Sequence, residues 1–229
     1  MSSDSKSRPI SPTSPVDLKW PRTRVWGEDD SQKMYNQIKE QVIAINQMLP
    51  DENPKCVIGS PVPPNKITIS RKDCQVIFHR SSDPGWTATV KRSGSEIGSK
   101  EVCAEECWNI ILTFLVPSLR CVLHLTELLF ALTGRNLAVT FIETEKAWQC
   151  ESQDKWVKVK LQGAQEDIVF WSSKNNLRIQ YPALEPVLVE SPENPLQTKA
   201  DVRYNTLSLS LLYVIDPSLM HSPSLKLVA

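Results

Sequence analysis

From Lys100 to Thr133 the chain is apolar, and one proline, Pro117, stands in the middle of the run. A segment of this kind has to be covered, and proline restricts the ways it can be helical. Ser99 is placed to cap a helix reaching Leu115. Pro117 is placed to open a second helix at a first-turn position, where its missing N–H costs little, with Gly134 as a left-handed stop. The pattern predicts a helical hairpin or one sharply kinked helix. Ile110–Thr133 is apolar enough to raise the question of a membrane span, but Arg120, His124 and Glu127 lie within it, and such groups are costly in a bilayer. These three share one helical face opposite Val122, Leu125, Leu129 and Leu132, the pattern of a buried amphipathic helix.

After Gly134 the hydrophobic period switches to two. Leu137–Glu143, Trp148–Glu151, Trp156–Gln162, Ile168–Ser172 and Leu177–Tyr181 read as strands joined by short polar connections, which predicts an antiparallel meander. Trp156 to Leu161 alternates aliphatic residues with lysines, so that strand is expected to be packed on one side and wet on the other. Upstream, Lys66–Ser70, Gln75–His79 and Trp86–Arg92 read as a three-stranded unit. Downstream, Tyr204–Ile215 alternates as one more strand.

Before these strands, Met34, Ile38, Val42, Ile45 and Met48 recur every three or four residues, one stripe of an amphipathic helix capped by Asp29 or Asp30 and ended by Pro50. That stripe is expected either to dock on the body of the chain or to bind a partner. The resulting division is a disordered Ser/Pro-rich tail (1–27), an amphipathic helix (28–50), a Pro-rich linker (51–65), an α+β core domain (66–216) and a C-terminal tail (217–229). The fold class expected is α+β, an antiparallel meander packed on the central helical hairpin or kinked helix, with the N-terminal amphipathic helix added.

Charge names no partner, because 26 Lys plus Arg balance 26 Asp plus Glu, and nucleic acid is accordingly not an expected ligand. The Ser/Pro-rich amino terminus lacks the apolar run of a secretory signal, so an intracellular location, cytoplasmic or nuclear, is expected. In it Ser11-Pro12 and Ser14-Pro15 offer proline-directed phosphorylation at Ser11 and Ser14. Only seven glycines accompany 17 prolines, which argues against glycine-rich phosphate loops.

Catalysis finds little support. Cys121, His124 and Glu127 are the one grouping of nucleophile, base and acid, but a single helix does not aim all three at one point. Cys103 and Cys107 share a helical face without the paired spacing of a zinc site, so no metal and no cofactor is expected. Trp86, Trp108, Trp148, Trp156 and Trp171 are expected in the core, Lys155, Lys158 and Lys160 beside Trp156 being the one mixture of cations and aromatics.

Tyr181-Pro182-Ala183-Leu184 resembles the YPxL motif with which some enveloped-virus structural proteins recruit the ESCRT adaptor Alix. A Pro/Ser-rich arm on a compact α+β body is also similar to the matrix proteins of enveloped negative-strand RNA viruses. That resemblance implies self-assembly, membrane apposition and ESCRT recruitment, although such proteins tend to be basic and this chain has no net charge. The expected role is interaction or assembly without catalysis, through a protein partner or self-association, with membrane contact under the matrix alternative. The residues expected to bind the partner are Met34, Ile38, Val42 and Ile45, and then Tyr181, Pro182 and Leu184. An enzyme without a recognisable motif is the remaining alternative.

Overall fold

The computed structural model describes residues 30–59, 65–80, 85–124, 138–152, 155–172, 178–185, 187–188, 196 and 198–199. Helix α1 runs over Asp30–Met48. Met34, Ile38, Val42 and Ile45 are 0, 0, 4 and 0 % exposed along one side, whereas Gln32, Lys39, Glu40 and Ile43 face solvent. At its end, carbonyls without an intrahelical partner have to be satisfied from outside. Lys55 does this: its Nζ donates to the carbonyls of Asn46 (3.3 Å), Leu49 (2.9 Å) and Pro50 (2.9 Å), placing a cation at the negative end of the helix. The Asn46 amide also accepts from Cys56 N–H at 2.8 Å and donates to Cys56 C=O at 2.9 Å. The stretch beyond Pro50 is thus stitched to α1, and it supplies a short strand, β1 (Val57–Ile58).

β1 is the edge of a five-stranded antiparallel sheet in the order β1-β2-β3-β4-β5, with β2 Lys66–Arg71, β3 Cys74–Arg80, β4 Trp86–Arg92 and β5 Ser95–Val102. Alternation decides its faces: Ile67, Ile69, Val76, Phe78, Ala88 and Val90 are all 0 % exposed on the inner one. Ser93 and Gly94, with φ of 50° and 85°, form the left-handed turn between β4 and β5. A bulge at Val90/Lys91 leaves Ile97 without a partner in the ladder, since Val90 pairs with Gly98 and Lys91 with Glu96. The first half therefore holds a five-stranded sheet where three strands were expected.

The expected helix start at Ser99 is corrected. Ser99, Lys100, Glu101 and Val102 continue β5 by pairing with Thr89, Ala88, Thr87 and Trp86, and α2 begins only at Ala104, running to Leu115. Its first turn is held by Glu106, whose carboxylate accepts from Cys103 N–H at 3.0 Å and from Lys100 Nζ at 2.9 Å. Val116, at φ −143° and ψ 56°, leaves the helical region, and helix α3 follows over residues 117–124 with Pro117 in its first turn. The proline thus separates two helices. α2 is apolar around most of its circumference and packs on β2, β3, β5 and α1.

The second sheet is an antiparallel meander in the order β10-β9-β8-β7-β6: β6 Ala138–Ile142, β7 Ala147–Ser152, β8 Lys155–Gln162, β9 Asp167–Ser172 and β10 Arg178–Tyr181. A two-stranded ladder, β11 (Val187–Leu188) with β12 (Thr198–Lys199), follows. The inner residues Trp148, Cys150, Val157, Val159, Leu161, Ile168 and Phe170 join α1, α2 and the first sheet in one core cluster. The class is α+β with two antiparallel sheets. The strand expected at Tyr204–Ile215, the tails at 1–27 and 217–229, and the stop at Gly134 lie outside the described residues.

Candidate functional site

Of the residues expected to meet a partner, the α1 stripe lies in the core. Met34, Ile38, Val42 and Ile45 pack with Leu49 against the chain's own body, so docking, not partner capture, is what this conformation shows for them. The segment Tyr181–Leu184 is likewise fastened down. Tyr181 stacks on Phe170 with centroids 6.0 Å apart, Ala183 N–H donates to Asp167 Oδ1 at 3.1 Å, and Leu184 N–H donates to Ser118 Oγ at 3.1 Å. Leu184 is 8 % exposed and only Pro182 of the three named residues faces solvent, so the conformation withholds the free, extended segment that a YPxL reader needs. Ser11 and Ser14 lie outside the described residues.

The candidate nucleophile and base are not brought to a common cavity among the described residues. Cys121 is 4 % exposed and belongs to the core, His124 is exposed, and Glu127 is outside the described residues. All six cysteines are free. Burial pushes the thiols of Cys56 and Cys150 up to about 11 and about 12, and raises those of Cys74 and Cys107 as well, so these four remain neutral thiols rather than thiolates. Among the described residues no three His, Cys, Asp or Glu side chains gather as metal ligands. No described helix is long and apolar enough to cross a membrane.

What the structure does assemble is a buried ionic joint that the spacing of residues gave no reason to expect. Arg71, at the end of β2, and Glu166, before β9, are 4 % and 3 % exposed and form a two-pronged pair between the sheets. Arg71 also donates through Nε to Pro54 C=O at 2.9 Å and through a guanidinium N–H to Leu115 C=O at 2.8 Å. Lys72, left-handed at φ 53°, brings its Nζ to 2.7 Å from the same carboxylate. Burial alone would raise the Glu166 pKa; the hydrogen bonds and charges of Arg71 and Lys72 outweigh it and hold the carboxyl below its ordinary range. Nearby, Asn53 Nδ2 donates to Gly163 C=O at 3.2 Å. Removing either partner of such a pair would leave the other as an uncompensated buried charge.

Two surfaces remain. On the outer face of the second sheet, register places Gln149, Lys158, Trp171 and Arg178 in one cross-strand row. Trp156 and Trp171, expected in the core, are instead half-buried there, because alternation turns them away from the inward Val157, Val159 and Phe170, with Lys158 Nζ 5.6 Å from the Trp156 ring and Lys160 Nζ 5.7 Å from the Trp171 ring. Glu145 pairs with Lys158 at 2.7 Å, and Arg178 donates to Gln162 Oε1 at 2.7 Å. Trp86 and Trp148 are in the core, as expected, and Trp108 packs against it. Sequence alternation separated the lysines of β8 from its aliphatics; that Trp171 lies in the row of Lys158 depends on β8–β9 register. The second surface is an open cavity of about 450 Å³ on the outer face of the first sheet.

Together these features define an α+β chain with two antiparallel sheets on one core, a buried ionic joint between them and a cationic-aromatic outer face. No protein-family model matches the sequence, and neither a curated protein nor a solved structure is significantly similar to it.

Proposed function

We propose that the chain is a non-enzymatic interaction or assembly protein acting through protein–protein contacts, with the outer face of the second sheet as its contact surface. The observation that supports this is the outer face that carries half-buried Trp156 and Trp171 beside Lys158, Lys160 and Arg178, because tryptophan and arginine are the residues most enriched where binding energy concentrates. In this reading the meanders pack on a central helical hairpin, α1 is a docking helix, and phosphorylation at Ser11 and Ser14 modulates the arm. The partner is another protein or a second copy of the chain. Trp156→Ala with Trp171→Ala is expected to abolish self-association in sedimentation, or capture of a protein partner, while Ile43→Ser on the solvent side of α1 leaves it intact. Equal behaviour of both variants and the parent overturns the assignment. The matrix-type alternative is not favoured by a described residue, since it requires Tyr181 and Leu184 to leave the core.

A further inference from the structure

Register arranges the outer face of the first sheet, from β2 to β5, as cross-strand rows. The middle row is Thr68, Ile77, Thr89 and Ser99, with Thr89 Oγ1 3.0 Å from Ser99 Oγ. It carries short or β-branched side chains and no charge, a surface on which a second sheet can lie about 10 Å away. On one side of it a row runs from Lys66 on β2 through His79 to Glu101 on β5. On the other side a row ends with Lys91 on β4 and Glu96 on β5. The open cavity is the hollow over the middle row, with Lys66 at one end and Lys91 at the other.

Charge on this face is polarised across the strands. Lys66 stands on β2, while Glu96 and Glu101 stand on β5, and all three are exposed. Among the described residues none of the three makes an ion pair, whereas Lys72, Lys100 and Lys158 each do. A surface that is basic along one side and acidic along the other is its own complement under a two-fold rotation. The same charges decide the direction of the axis. An axis parallel to the strands, between β3 and β4, lays β2 of one copy over β5 of the other. Lys66 then meets Glu101 twice, Thr68 lies over Ser99, and Ile77 lies over Thr89. An axis in the same plane but perpendicular to the strands exchanges the flanking rows instead and sets Glu96 against Glu101, a repulsive arrangement. An overlap of four strands by three rows, spaced about 4.8 Å and about 7 Å apart, buries less than about 1,000 Å² in total, the size of a weak, reversible contact.

We propose that this face pairs with the same face of a second copy of the chain about an axis parallel to the strands, Lys66 of each copy meeting Glu101 of the other. The second copy is thereby assigned to the first sheet, and the Trp156–Trp171 face is left to a different protein. The two readings fail separately, because Trp156→Ala with Trp171→Ala removes capture of that protein and keeps the dimer. Sedimentation velocity of the full chain, over a rising concentration series at low salt, is expected to show a monomer passing into a dimer. Lys66→Glu and Glu101→Lys each oppose like charges twice in the dimer and are each expected to weaken it about ten-fold or more. The double exchange, Lys66→Glu with Glu101→Lys, leaves the net charge unchanged and is expected to restore the parent's dimer to within about three-fold. Lys39→Gln, on the solvent side of α1, leaves dimerisation unchanged. Far-ultraviolet circular dichroism checks that these surface variants keep the parent's fold. A parent that stays monomeric throughout, single exchanges without effect, a folded double exchange that does not restore the dimer, or a dimer lost in Trp156→Ala with Trp171→Ala overturns the proposal.

Discussion

Glu166 occupies a left-handed backbone position, φ 66°, that a residue with a side chain takes only when the surroundings hold it there. Its carboxylate anchors it, because the buried Arg71 and the partly exposed Lys72 both converge on it. Glu166→Gln leaves the guanidinium buried without a counter-charge and is expected to cost about 3–5 kcal/mol in urea unfolding, whereas a joint Arg71→Met, Glu166→Leu exchange costs far less. The pH dependence has a definite sign. The folded carboxyl titrates below the ordinary value of 4.5, so the joint's contribution is complete above that value and is lost as pH falls from there through the lower folded value. Urea midpoints measured from neutral pH into acid should therefore fall more steeply for the parent than for Glu166→Gln. None of this was legible in the sequence, where Arg71 and Glu166 stand 95 residues apart and each looks like an ordinary surface charge.

At the scale of elements, legibility followed periodicity. The second sheet was readable because its strands alternate strongly and polar connections separate them. β5 was missed: Ser95, Glu96, Gly98, Ser99, Lys100 and Glu101 make it a polar edge strand, and such a strand carries little hydrophobic signal because it packs weakly. The misplaced helix start at Ser99 is the same omission, for an isolated serine looks like a cap only while the ladder that employs it is unseen. In α1 the apolar stripe recurs at helical spacing, but spacing cannot say whose surface an apolar face meets. Ile38→Ala, on that face, is expected to cost about 2–5 kcal/mol. Ile43→Ala, 47 % exposed on the other side, should stay within about 0.5 kcal/mol, and thermal denaturation of the two variants distinguishes them.

For the molecule as a whole, both sheets feed one core cluster together with α1 and α2, and Arg71, Asn53 and Ser118 bond across from one half to the other. A single cooperative transition follows from that arrangement. Far-ultraviolet circular dichroism, which reports both sheets, and tryptophan fluorescence, to which Trp86 of the first sheet and Trp148 of the second both contribute, should give coincident unfolding curves. Two separated curves would mean that the halves are independent. The candidate surfaces were legible only in fragments, since alternation exposes one strand's outer residues at a time and register alone assembles them into a face or a cavity. Lys66 and Lys91 illustrate this, lying 25 residues apart in sequence and at opposite ends of one cavity.

Lys55 and Arg71 carry a consequence for the order in which this chain assembles. Lys55 satisfies carbonyls within ten residues of itself, so its contacts form as soon as α1 does. Arg71 reaches Pro54, Leu115 and Glu166, and its last partner does not exist until both halves have met and water has left the space between them. The joint is therefore a late lock: it sets how long the native state survives rather than how quickly it is reached. Its loss should appear in stopped-flow measurements as faster unfolding with the folding rate almost unchanged.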